Sequence, residues 1–130
     1  MPLVKVEIFK GKSKKHKEAI LEGVHNALVT AFKIPDDDRN QRLYELTTDN
    51  FEKRGNKTSN FTLIELTVFR GRSNTAKKLL YSEIASNLSR DPGIEGNDIL
   101  IILNEQPLEN WSTSDGKCAT DIDLGFKIDV

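Results

Sequence analysis

Two arginines separated by one glycine, Arg70-Gly71-Arg72, close the apolar stretch from Phe61 to Phe69. Guanidinium groups present fixed forks of donors that suit a carboxylate or phosphate, and two together are unfavourable until an anion joins them. Residues i and i+2 of a strand share a face, so the pair is expected side by side at a strand end. Gly71 would let a ligand approach the backbone closely. The plainer alternative is a pair of solvated arginines. Asp36-Asp37-Asp38-Arg39 follows Pro35 and reads most simply as a solvated acidic turn. Pro2 follows Met1, and a small second residue favours removal of the methionine, which leaves a secondary amine. An α-amino group ionises at about 7.7–8.0, so a modest change of surroundings makes it an acid or a base near neutrality. His16 and His25 read as surface residues beside a helical apolar face, with no third ligand spaced for a metal. Cys118 is the single cysteine, has no partner for an internal disulfide, and reads as an ordinary thiol. There is no glycine-rich phosphate loop and no nucleophile elbow.

The elements that must position these groups come from a chain of 130 residues, the size of one domain, here 1–130. Lys and Arg number 19 against 20 Asp and Glu, a balance that argues against a generic nucleic-acid binder. No apolar run approaches the ~20 residues of a membrane helix. The N-terminal stretch alternates apolar and charged residues, unlike a signal peptide. A cytoplasmic, soluble protein is expected. Apolar residues make up only 37%, a lean share that suggests apolar surface shared between subunits.

Sliding the chain against itself by 60 residues gives ten identities in the 43 positions from 3 to 45, without gaps. Unrelated sequences would give about 3. Phe9-Lys10-Gly11-Lys12-Ser13 falls on Phe69-Arg70-Gly71-Arg72-Ser73, and Lys17, Leu28, Ile34, Asp38, Leu43 and Glu45 recur as Lys77, Leu88, Ile94, Asp98, Leu103 and Glu105. The recurrence of Asp38 as Asp98 suggests a shared turn role. Each copy reads as strand, helix, strand, over about 2–47 and 61–107, with a tail over 108–130. Strands alternate from Leu3 to Phe9 and from Phe61 to Phe69. Ser13 and Ser73 or Asn74 are plausible helix N-caps. One helix carries Ile20, Val24, Ala27, Leu28 and Ala31 on a face, the other Ala76, Leu79, Leu80, Ile84 and Leu88. Pro35 and Pro92 close the helices. Second strands are expected at 41–46 and 99–103, the latter as a buried run. A short crossover means parallel pairing within each copy. The prediction is an α+β fold, two tandem β-α-β units forming a four-stranded sheet with two helices on one face. The other face would be bare, and subunits are expected to pack there. Residues 48–60 read as a polar linker, and the tail around Trp111, Phe126 and Ile128 as a clasp on a neighbour.

The Pro2 start, a first strand ending near Gly11-Lys12-Ser13, the duplicated unit and the length resemble the tautomerase superfamily, and within it the malonate semialdehyde decarboxylases. The likeness covers residues 2 to 112. Phe32-Lys33-Ile34-Pro35-Asp36-Asp37-Asp38-Arg39 is similar to a helix-end segment in which the aspartate at Asp38 is functional. Thr67-Val68-Phe69-Arg70-Gly71-Arg72-Ser73 resembles a strand-end segment whose two arginines bind the substrate carboxylate. Asn110-Trp111-Ser112 resembles a tail segment whose tryptophan helps form an apolar pocket wall. Lys12 stands where many members carry arginine, and Thr113 stands where the decarboxylases have an aromatic wall residue, which bears on the size and dryness of the pocket. The resemblance implies catalytic Pro2 and Asp38, substrate-binding Arg70, Arg72 and Trp111, a homotrimer whose sheets form a shared interior, and no metal or organic cofactor. Partners would be a small carboxylate-bearing substrate, with no nucleic acid and no membrane. It implies decarboxylation of a small 3-oxo acid, with hydration of unsaturated acids as a side activity. The rivals are keto–enol tautomerisation with a neutral Pro2 as base, and a trimeric binding module without chemistry.

Overall fold

The computed structural model describes residues 2–130; the expected removal of Met1 lies outside them. The chain runs β1 (Leu3–Phe9), α1 (Lys14–Phe32), β2 (Gln41–Leu46), β3 (Thr62–Phe69), α2 (Asn74–Arg90) and β4 (Ile99–Gln106), with short 3-10 turns at Gly96–Asp98, Leu108–Asn110 and Ala119–Asp121. The sheet order is β2-β1-β3-β4, parallel within each β-α-β unit and antiparallel where β1 meets β3. In that central pair Lys5 stands opposite Glu65, its own counterpart 60 residues on, so the pseudo-twofold axis passes between them.

The repeat is visible in the details. Ser13 and Ser73 each accept a hydrogen bond from the third amide beyond them, satisfying groups that a helix start leaves open. Lys17 pairs with Glu45 at 2.9 Å and Lys77 with Glu105 at 2.7 Å, the same helix-to-strand tie made twice. Val4, Val6 and Ile8 of β1 and Ile64, Leu66 and Val68 of β3 point to one face, as period-two alternation requires, and meet Ile20, Val24, Leu28, Leu80, Ile84 and Leu88 from the helices. The helices approach closely where Gly23 faces Leu88: a Cβ there would lie 2.8 Å from Leu88 Cδ2. Among the described residues, no helix is long and apolar enough to cross a membrane.

Three expectations change. The stretch 99–103 is not wholly buried: Leu100 and Ile102 are 52% and 49% exposed, because β4 alternates and turns every second residue to the helix-free face. That face also carries Tyr44 and the Lys5–Glu65 ion pair at 3.4 Å. Leu79 is 40% exposed, on the edge of the α2 stripe. The tail does not extend away as a clasp but folds onto its own chain. Trp111 lies edge-on to Phe69 with ring centroids 4.7 Å apart, Phe126 stacks on Phe69 at 6.3 Å, and the Ser73 amide donates to Val130 O at 2.8 Å. Large apolar side chains around an otherwise uncovered strand end supply the reason.

Candidate active site

Four segments meet at one end of the sheet. The Val4 amide donates to Asn40 O at 2.9 Å, and Val4 stands opposite Gln41 in the parallel pair. Two residues back along that register, Pro2 comes level with Arg39, next to Asp38. On its other side, Leu3 opposite Thr67 brings Pro2 level with Val68, one residue before Phe69. The start of β1 and the end of β3 therefore coincide within one chain, and Pro2 is buried there.

The two arginines do not stand side by side on a strand. β3 ends at Phe69, and Gly71 takes φ +139, which breaks the alternation. Only glycine adopts that backbone readily, and a Cβ would also meet Ile128 O at 3.2 Å. Arg70 is left exposed, its amide donating to Gln106 O at 2.9 Å. Arg72 turns inward and is 6% exposed. Its Nη1 donates to Phe69 O at 3.0 Å, its guanidinium lies 4.8 Å from the Phe32 ring centroid, and its Nε is buried with no partner. Burial pulls the Arg72 pKa below its ordinary value, while the carboxylates of Glu105 and Asp38 pull it back up. It remains a cation at any working pH. Among the described residues, none of the ion pairs involves Arg72. A buried cation with open donor capacity suits an incoming anion.

Beside this group lies a cavity of about 390 Å³, lined by Pro35, Asp37, Asp38, Phe69, Thr113 and Ser114 together with Ile122, Asp123, Leu124 and Phe126 of the tail. Asp38 is half-buried, accepts from Asn40 Nδ2 at 3.0 Å, and lines this space. Trp111 stands behind Phe69, its Nε1 donating to Gln106 O at 3.3 Å, so it braces the wall through Phe69 and is not among the lining residues. Thr113 is among the lining residues. That the tail lines a cavity of its own chain is the part that sequence reasoning missed. The signal was present: Ile122, Leu124, Phe126 and Ile128 alternate with polar residues or glycine, as a strip with one covered side does.

His25 is a further correction. It is not a surface residue but 1% exposed on α1, with Nε2 3.3 Å from Asp36 Oδ1, because the 33–40 connection folds back over the helix. His16 is half-buried, and burial lowers its pKa first, with Lys12 adding to the effect.

The duplicated counterpart of the site is filled by the chain itself. Asp98 makes the same turn as Asp38, with its amide donating to Glu95 O as Asp38 donates to Pro35 O. Its carboxylate, however, accepts from both the amide and the hydroxyl of Thr58. Burial pushes the Asp98 pKa up, but those bonds and the nearby Lys57 and Lys53 outweigh it and hold the group below its usual value. Lys12, the counterpart of Arg72, donates to Asn60 Oδ1 at 2.6 Å, and Phe51 fills the space between Phe9 and Phe61. The 48–60 linker thus occupies one copy, and the open cavity belongs to the other.

This sheet and these helices have the architecture of the tautomerase fold. The chain belongs to the tautomerase family: residues 38–114 match one family model described as "Tautomerase enzyme" and residues 2–57 match another with the same description. It is accordingly an enzyme of the isomerase or lyase type. It is 28% identical to the probable tautomerase YusQ of Bacillus subtilis (strain 168), over 90% of this chain and 96% of that one, and 27% identical to the probable tautomerase YrdN of the same organism, over 86% and 90%. Among solved structures it resembles malonate semialdehyde decarboxylase, with TM-score 0.79, 28% identity and coverage of 88% and 92%. It also resembles native fused 4-OT, with TM-score 0.82 and coverage of 95% and 99%; at 16% identity that likeness concerns the fold alone.

Proposed function

We propose that the chain, acting as one tautomerase-like domain over 1–130, decarboxylates a small 3-oxo acid through the Pro2 nitrogen without a cofactor. The observation that carries this is the register that brings Pro2 beside the Asp38 segment at the rim of the cavity. Burial alone would push an amine toward its neutral form, whereas an adjacent carboxylate favours the cation. With Asp38 beside it, Pro2 is read as the cation. Arg72, with Arg70 outside it, holds the substrate carboxylate and turns its C–C bond out of the carbonyl plane. The Pro2 N–H donates to the carbonyl oxygen. As the C–C bond breaks, its electron pair moves into the enolate, CO2 leaves, and the enolate carbon takes a proton that Pro2 regains from water. Phe69, braced by Trp111, keeps the breaking bond out of water.

A second reading, keto–enol tautomerisation with neutral Pro2 as base, is favoured by the size of the cavity, which exceeds the needs of a three-carbon acid. Assay of the purified protein with malonate semialdehyde and with phenylenolpyruvate across pH separates the two. Decarboxylation that falls as pH rises through the Pro2 pKa supports the cation; turnover of phenylenolpyruvate alone, rising with pH, replaces it by the base mechanism. The half-exposed Tyr44, Leu100 and Ile102 around the Lys5–Glu65 pair support assembly through the helix-free face. A homotrimer, as in the fused 4-OT symmetric trimer, and a cytoplasmic location complete the proposal.

A further inference from the structure

Half of the residues that line the cavity are apolar: Pro35, Phe69, Ile122, Leu124 and Phe126. The rest are the hydroxyls Thr113 and Ser114 and three carboxylates, Asp37, Asp38 and Asp123, with no Lys, Arg or His among the lining residues. Asp38 is the carboxylate that the proposed function assigns to Pro2. Asp37 and Asp123 are exposed at the mouth, Asp123 accepting from the Gly125 amide at 2.9 Å. Among the described residues, no ion pair neutralises either of them. The site is therefore polarised. The buried Arg72 stands outside the lining, donating to the carbonyl of the lining residue Phe69 and sensing the charge of Asp38, while half of the walls are apolar and the exposed Asp37 and Asp123 add two negative charges.

The volume adds a second constraint. At about 390 Å³ the cavity falls within the roughly 300–1,000 Å³ range of small-molecule sites. Malonate semialdehyde, with a three-carbon skeleton, would leave part of it to water.

From these observations, and resting on the reading that Arg72 receives a carboxylate, we infer that the acid accepted here carries a single carboxylate and an apolar far end of aryl or branched-alkyl size. Asp37 and Asp123 are its specificity-determining residues: they turn away a second carboxylate at the far end, as like charges disfavour the wrong partner more than they help the right one.

Three non-reacting probes test this by titration calorimetry at low salt: cinnamate, 4-carbamoylcinnamate and 4-carboxycinnamate. The last two share shape and differ by one charge, so size cancels. The wild-type protein is expected to bind the carbamoyl compound about tenfold more tightly than the carboxy compound, and the gap to shrink to about twofold in Asp37→Asn/Asp123→Asn. Equal wild-type affinities, or a gap that survives the double substitution, overturn the inference and leave the Pro2 chemistry standing. If none of the three binds, the carboxylate-binding reading falls, and the inference with it.

Discussion

Pro2→Ala lowers kcat by at least about 10², the lower range for losing a positioned proton donor, while the melting temperature stays within a few degrees. Alanine still supplies an amine, but a primary one that rotates and spreads three N–H bonds. The pyrrolidine ring restricts where the nitrogen's hydrogens point. A preparation that retains Met1 makes the sharper comparison, because the nitrogen is then a tertiary amide with no proton and no basicity. That form is expected to be inactive toward both malonate semialdehyde and phenylenolpyruvate. Intact mass fixes the state of the terminus, and steady-state kinetics read the rest. Full activity in the Met1-retaining form would remove Pro2 from the chemistry and favour a binding module with the same fold.

Arg72→Met has the second largest expected effect, and its signature is a split between activity and stability. Methionine fills similar space but gives up the guanidinium's contact with the Phe32 ring and the bond to Phe69 O, the latter a loss of about 1–3 kcal/mol for an orphaned acceptor. Against this stands the cost of holding a buried cation without a paired carboxylate, which is several kcal/mol per ion and which the substitution abolishes. The second effect is the larger, so thermal stability should hold or rise. Activity should not: removing one partner of a buried charge pair with substrate costs about 2–5 kcal/mol, hence roughly 30-fold to 5 × 10³-fold in kcat/KM. Arg70→Ala, at an exposed position, should raise KM about tenfold and leave stability unchanged. A large fall in melting temperature with activity preserved in Arg72→Met would make Arg72 a structural residue and move the anion site elsewhere.

Much of this arrangement was legible in the chain before any coordinates. The strands of each unit follow from alternation, the helices from their apolar stripes and serine caps, and the pseudo-twofold from the 60-residue offset that makes Lys5 and Glu65 partners. Of the candidate site, the arginine pair was singled out by its spacing and Asp38 by a family pattern; on residue type alone both also read as solvent-facing. What failed was local geometry. The i, i+2 rule put both arginines on one face, but a glycine at φ +139 rotates Arg72 inward and leaves Arg70 outside. His25 is buried by a connection whose path depends on where the acidic turn lands, which no helical wheel contains. The tail's alternation was present but short, and nothing in it named Phe69 as the surface it covers. Likewise, two identical aspartates, Asp38 and Asp98, keep one backbone turn and take different roles, because Thr58 reaches one of them.

The cation at Pro2 is the point on which the rest depends. Titration of the Pro2 nitrogen by ¹⁵N NMR, in the wild-type protein freed of Met1 and in Asp38→Asn, tests it without any substrate. A pKa above the ordinary α-amino value of about 8 in the wild-type protein, falling on substitution, is what the carboxylate at Asp38 predicts. A nitrogen that titrates below neutrality in both proteins would contradict it, and would make Pro2 a base that Asp38 does not govern.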